Sequence, residues 1–250
     1  MLGNMSKVIS GLITVRTSSS RLPNKCLLPF GEGNVLEHII RRAKHYGIDP
    51  IVCTSTDQSD DVIERISKNE GVKYFRGELI NKLKRWSDCA TFYRLNSFHT
   101  VDADDPFFDG EEMKRSIELL HSGSFDMVTP TAFSSSGGAS VGYSLTTDIV
   151  RRTSEGIPKS TDTEMMWYHI EKMPNLKMHV LSDNNAPSLK VRLTLDYQED
   201  YWLLESIRRI LGNLASRESI NRLLIENPDL YKINWFRNEE WKDGQLSKKI

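Results

Sequence analysis

The feature that most constrains this chain is an alternation of short β-rich runs with amphipathic helical segments. Residues 7–15 (KVISGLITV), 50–55 (PIVCTS), 72–75 (VKYF), 98–102 (FHTVD) and 126–131 (DMVTPT) read as strands. Between them, residues 35–47, 59–70, about 80–95 and 111–122 carry apolar residues at helical spacing. In the first helix these are Val35, Leu36, Ile39, Ile40 and Ala43. Asn34 with Glu37 three residues on predicts a capped start, and Gly47, Gly71 and Gly123 predict stops. Antiparallel hairpins need no such crossovers, so strand–helix alternation predicts βαβ units, a mainly parallel sheet and a three-layer α/β fold.

After residue 133 the pattern loosens. Residues 134–140 (SSSGGAS) read as a flexible loop, residues 141–145, 177–182 and 189–195 as strands, and two helices at about 198–211 and 217–226 close the chain. No linker or repeat divides residues 1–250, so one domain is expected, with the helices from about 198 onward packed on it. Thirty-three basic against 34 acidic residues give a formal charge of −1, which argues against a general nucleic-acid binder. No apolar run approaches the length of a membrane span. Three cysteines without metal spacing, and no signal peptide, point to a reducing cytoplasm.

Three segments carry chemistry. Arg16–Lys25 (RTSSSRLPNK), at the end of the first strand, offers three cations, three consecutive hydroxyls and a run of amides. Polyphosphate takes that mixture, as amides and hydroxyls meet its oxygens while Arg and Lys meet its charge; a solvated basic loop is the alternative. His99–Asp109 (HTVDADDPFFD) sets Asp102, Asp104 and Asp105 at a strand end, where carboxylates suit Mg²⁺, or else cap the next helix. Val191–Asp196 (VRLTLD) ends a strand in an acid that reads as a helix cap or a second metal ligand. Glu199 and Asp200 read as first-turn charges favouring the helix dipole. His38 and His45 read as surface or cap residues, and His99 as structural.

In this order the segments resemble the cytidylyltransferases of the CMP-sugar synthetase group, nearest the branch of spore-coat polysaccharide biosynthesis protein F. Val15–Lys25 matches that family's A-R-x-G-S-x-R-L-P-x-K opening, with Ser18 in place of its glycine. Leu28–Gly31, Leu36–His38, Phe75–Gly77, Asp104–Asp109 for DCPxxD (Asp105 in place of Cys), and Leu193–Asp200 for TLDxxED follow in sequence.

The resemblance implies a Rossmann-like nucleotidyltransferase fold of the GT-A type with a mixed, mainly parallel sheet. It implies CTP along the first loop, contacted by Arg16, Ser19, Arg21 and Lys25, with Thr54, Ser55 and Asp102 near the nucleotide. Arg21, Lys25 and Asp104 take the catalytic roles, and Asp104 and Asp196 hold Mg²⁺. An anionic sugar or phosphonate acceptor calls for cations, of which Arg192 is the first candidate and Arg151, Arg152 and Lys159 the others, with Glu164 shaping the pocket. Family members are commonly dimeric, so a homodimer is expected. Asp102-Ala-Asp104 also has the Asp-x-Asp spacing of a metal-dependent glycosyltransferase, and a guanylyl- or uridylyltransferase acting on a sugar 1-phosphate differs only in the base. The lack of GxGxxG after the first strand argues against a dinucleotide dehydrogenase.

Overall fold

The computed structural model describes residues 9–182 and 191–246. The N-terminal half follows the expected alternation. Strand β1 (Ile9–Thr14) leads through a loop and a 3₁₀ turn (Lys25–Leu27) to a small hairpin, β2 (Pro29–Phe30) and β3 (Gly33–Asn34). Then come α1 (Val35–His45), β4 (Ile48–Ser55), α2 (Asp61–Asn69), β5 (Lys73–Gly77), α3 (Lys82–Phe92), β6 (Ser97–Asp102), α4 (Gly110–Ser122) and β7 (Met127–Thr129). The cap on α1 is as expected: the Glu37 amide donates to Asn34 Oδ1 at 3.0 Å, and the Asn34 amide donates to Glu37 Oε2 at 2.8 Å. Gly47 follows at φ +75°.

The rest is α5 (Ala132–Ser135), β8 (Ser144–Thr146), α6 (Thr147–Glu155), α7 (Met166–Ile170), β9 (Met178–Val180), α8 (Gln198–Leu211), α9 (Arg217–Glu226), α10 (Pro228–Tyr231) and α11 (Arg237–Leu246). Here the sequence reading needs correction. Residues 134–140 are not a free loop, because Glu112 accepts from the Thr131 amide at 2.9 Å and from Ser134 Oγ at 2.9 Å. Arg217 then donates to Ser134 Oγ at 2.8 Å and to the Ala139 carbonyl at 3.2 Å. Residues 191–195 join no strand; the Leu193 and Leu195 amides instead reach loops, donating to Gly137 O and Asp104 O, each at 2.7 Å. Residues 7, 8, 189 and 190 of the expected strands lie outside the described residues. Helices α6, α7, α10 and α11 add to the two expected after residue 133.

The seven strands order as β5-β4-β1-β6-β8-β7-β9, with β8 antiparallel to both of its neighbours and every other pairing parallel. Residue alternation divides the core into layers. Ile13, Val52 and Val101 face α1, α2, α8 and α9, while Leu12, Ile51, Cys53 and Phe98 face α3, α6 and α7. No described helix is long and apolar enough to cross a membrane, and Cys26, Cys53 and Cys89 are buried free thiols.

His38 is not a surface residue. It is buried in α1, where its Nε2–H donates to the Pro106 carbonyl at 2.9 Å, and it packs edge-on against Phe30. His99 is buried in β6, donating to the Val141 carbonyl and accepting from Ser144 Oγ at 2.8 Å. Burial pushes both imidazoles down to about 4. The folded state therefore holds them neutral while the unfolded chain takes up protons below about pH 6.5. Stability is fully present above that pH and is lost as pH falls toward 4, by about 3 kcal/mol for each histidine at the limit. Urea titrations from pH 7 to 4.5 check this, and a flat profile over that range would contradict it.

Candidate active site

Strand addition switches sides at β1. The chain runs outward through β4 and β5, then returns to pair β6 with the other edge of β1. Open sheets bind ligands beyond such a switch point. Thr14 pairs with Asp102, so the two loops that carry the chemistry leave the sheet side by side. They line a cleft of about 750 Å³.

The first loop is pinned by Asp60, a buried acid from the turn after β4. Its Oδ1 accepts from the Thr17 amide and Thr17 Oγ1, both at 2.8 Å, and its Oδ2 from Ser55 Oγ at 2.5 Å. Ser18 is not among the described residues with positive φ, so this loop does not require glycine there. Asn24 does take the left-handed conformation, φ 57° and ψ 24°, and starts the 3₁₀ turn that aims Lys25 into the cleft.

Lys25 Nζ meets three oxygens: Asp104 Oδ2 at 2.9 Å, Asp196 Oδ1 at 2.8 Å and the Leu195 carbonyl at 2.8 Å. Burial opposes its charge, but the two carboxylates outweigh burial and hold its pKa above the ordinary lysine range. Arg21 reaches Asp196 Oδ1 at 2.8 Å. Asp196 is buried, which disfavours its charge, yet Lys25 and Arg21 overcome this and keep its carboxyl below the usual range. Asp104 is half-buried, and its carboxyl is pushed up by burial and by Asp196 and Asp102, against Lys25. Buried Asp105 accepts from Thr194 Oγ1 at 2.7 Å, and burial with Asp104 beside it raises its carboxyl well above the ordinary value.

Behind the cleft Arg192, at 0% exposure, forms a fork to Asp200, Nε to Oδ1 at 2.8 Å and Nη2 to Oδ2 at 2.9 Å, and touches Asp196 Oδ2 at 3.4 Å. Asp200 lies in the first turn of α8 as expected, but it is buried and also accepts the Asp196 and Tyr197 amides, each at 2.9 Å. At the other lip Arg16 holds Glu164 at 2.9 Å and the Leu79 carbonyl at 2.8 Å, while Lys82 reaches Asp102 at 3.2 Å.

Of the residues singled out from sequence, Arg16, Ser19, Arg21, Lys25, Asp102, Asp104, Glu164 and Asp196 line this cleft. Thr54, Ser55 and Arg192 do not. Thr54 and Ser55 are fully buried at the end of β4, with Ser55 turned onto Asp60. Arg192 faces Asp200 because its neighbours Val191 and Leu193 point the other way, into the core. Arg151 and Arg152 pair with Asp148 on the outer face of α6, and Lys159 is exposed outside the cleft. Sequence reasoning missed Asp60, Lys82 and Asp200. For Asp60 a signal existed, an acid five residues past the strand-ending Ser55; Asp200 read as a first-turn charge, and no neighbour in the chain marks Lys82.

The residues present fit a hard divalent cation. Two carboxylate oxygens and a peptide carbonyl already converge on one positive charge, and such oxygens are the ligands Mg²⁺ takes. Among the described residues no three His, Cys, Asp or Glu side chains form a metal cage.

Comparison with known proteins shows the family. A family model described as cytidylyltransferase matches residues 10–210. An uncharacterized protein of Methanocaldococcus jannaschii is 28% identical over 232 residues, covering 90% of this chain and 94% of its own. Spore coat polysaccharide biosynthesis protein SpsF of Bacillus subtilis is 26% identical over 238 residues, covering 87% and 94%. A solved cytidylyltransferase of Leptospira borgpetersenii shares the fold with a TM-score of 0.78 at 24% identity, over 89% of this chain and 96% of that one.

Proposed function

The chain belongs to the cytidylyltransferase family, and from that premise we propose that it transfers CMP from CTP to a sugar acid or related small anionic acceptor, releasing pyrophosphate. The observation that carries this reading is the convergence of Lys25 and Arg21 on Asp104 and Asp196 at the switch-point cleft.

CTP lies along the first loop, where Arg16, Ser19, Arg21 and Lys25 meet its phosphates and Asp102 lies near the nucleotide. Lys25 and Arg21 give up their carboxylates for phosphate oxygens as the triphosphate enters. The acceptor oxygen bonds to the α-phosphorus, the bond from that phosphorus to the bridging oxygen breaks, and the pair of electrons leaves with pyrophosphate. Lys25 and Arg21 stabilise the charge that accumulates there. A hydroxyl acceptor loses its proton to water in the open cleft. Asp104 and Asp196 are the residues that hold Mg²⁺, which when bound neutralises α-phosphate charge and makes the acceptor oxygen more acidic. No protein nucleophile is needed. With Arg192 buried against Asp200 and outside the cleft, and Arg16, Arg21 and Lys25 given to the triphosphate, Lys82 is the lining cation left for an anionic acceptor.

The reading places the protein in the cytoplasm, as one catalytic domain in a homodimer, serving surface-polysaccharide synthesis. The SpsF relative supports that context, and light scattering tests the dimer. CTP at a hundredfold excess over its Kd is expected to stabilise the fold by about 2.7 kcal/mol. Thermal-shift titration with CTP, UTP, GTP and ATP reads this directly. A shift with GTP or UTP instead would change the base, and a shift only with nucleotide-sugars would move the protein to the glycosyltransferases. Lys25→Ala is expected to weaken CTP binding at least about tenfold, one lost charge-assisted contact; unchanged titration curves would remove Lys25 from the phosphate site.

A further inference from the structure

Lys25 does more than wait for phosphate. Its ammonium sits in a nest of three oxygens contributed by segments far apart in sequence: Asp104 Oδ2, Asp196 Oδ1 and the Leu195 carbonyl, at 2.9, 2.8 and 2.8 Å. These are the oxygens suited to a divalent cation; Arg21 also reaches Asp196 Oδ1 at 2.8 Å, but among the described residues Lys25 is the cation that bridges the two carboxylates. Lys25 is mostly buried, with 15% of its side chain exposed, so its charge is not left to water. Its alternative partner, on the reading above, is a phosphate of CTP.

We propose that Lys25 is a resident cation that keeps the divalent metal out until CTP arrives. The triphosphate draws Lys25 away from Asp104 and Asp196, and only then is the nest open. This rests on the proposed nucleotide reading and adds an order to it: nucleotide and metal enter together, and free metal does not load the empty enzyme. A consequence is protection of the empty site from metals that merely bind carboxylates tightly.

Mn²⁺ binding in the absence of nucleotide, followed by the loss of its free-ion electron paramagnetic resonance signal, tests the idea. Lys25→Met removes the ammonium and keeps the chain length. It is expected to bind Mn²⁺ at least about tenfold more tightly than the wild type, since a unit charge leaves the nest. Equal affinity in a folded Lys25→Met protein would overturn the proposal. A second measurement uses the wild type alone, so a misfolded variant leaves the question decidable. Mn²⁺ without nucleotide is expected to leave the melting temperature unchanged, while Mn²⁺ with CTP raises it beyond CTP alone. A shift with Mn²⁺ alone would overturn the proposal. Absence of any response to CTP would instead sink the nucleotide reading, so the two failures are distinct.

Discussion

Asp104→Asn is expected to lower the proposed turnover with CTP about a thousandfold, close to 4 kcal/mol of transition-state stabilisation, which is the scale of losing a ligand to a catalytic cation. The physical reason lies in the donor set. Asparagine keeps the shape and one neutral oxygen, but it removes one of the two carboxylates that converge on Lys25. Stability changes little, since Asp104 is half-buried and its carboxyl is already disfavoured by burial and by Asp196 and Asp102. Replacing it relieves that repulsion while giving up its share of Lys25, which retains Asp196 and the Leu195 carbonyl. Pyrophosphate release gives the rate and a thermal melt gives the fold. The melting temperature is expected to stay within about 4 °C, equivalent to ~1 kcal/mol for a chain of this size. A variant that is inactive because it unfolds would make Asp104 structural, and a variant with wild-type turnover would end the metal reading.

Arg192→Met is expected to show the opposite profile, a loss of stability of about 3–5 kcal/mol. The guanidinium is fully buried between Asp200 and Asp196, so its removal leaves two buried carboxylates short of their counter-charge. Part of the loss reaches the site, because Arg192 helps hold Asp196 where Lys25 and Arg21 meet it. Asp200→Asn in the same chain is expected to return part of the stability, since the unpaired charge goes while Asn keeps an oxygen for the Asp196 and Tyr197 amides. Urea unfolding of the four proteins of this cycle reads the coupling directly. Additive losses from the two substitutions would show that the pair contributes nothing jointly. An unchanged Arg192→Met midpoint would show that the buried fork contributes nothing to stability.

Much of the N-terminal half was legible because its signals are local. The capping box of Asn34 and Glu37, the stops at Gly47 and Gly71, and the strand–helix period each involve residues within one turn or one strand. The segment after residue 133 was less legible because long-range partners organise it. Arg217 ties down Ser134 and Ala139, and Gly137 and Asp104 take the amides that would otherwise have sought a strand. Likewise Gly142, at φ +77° and with Thr100 O only 2.0 Å from where a Cβ would lie, lets the chain pass close to β6 and brings Tyr143 to the cleft. Nothing in the bare SGGASVG string says which strand it must approach.

The site divides in the same way. By itself the sequence determined the kind of elements, the mainly parallel sheet and the charged loops at the strand ends, because these follow from periodicity and from residue types over ten positions or fewer. Only the tertiary structure decided which charges face the cleft and which face each other. Lys25 and Asp196, 171 positions apart, meet at 2.8 Å, while Arg192, four residues before Asp196, turns inward to Asp200. A charged side chain settles where burial leaves it a counter-charge, and that partner is chosen by packing between distant segments, not by its neighbours along the chain.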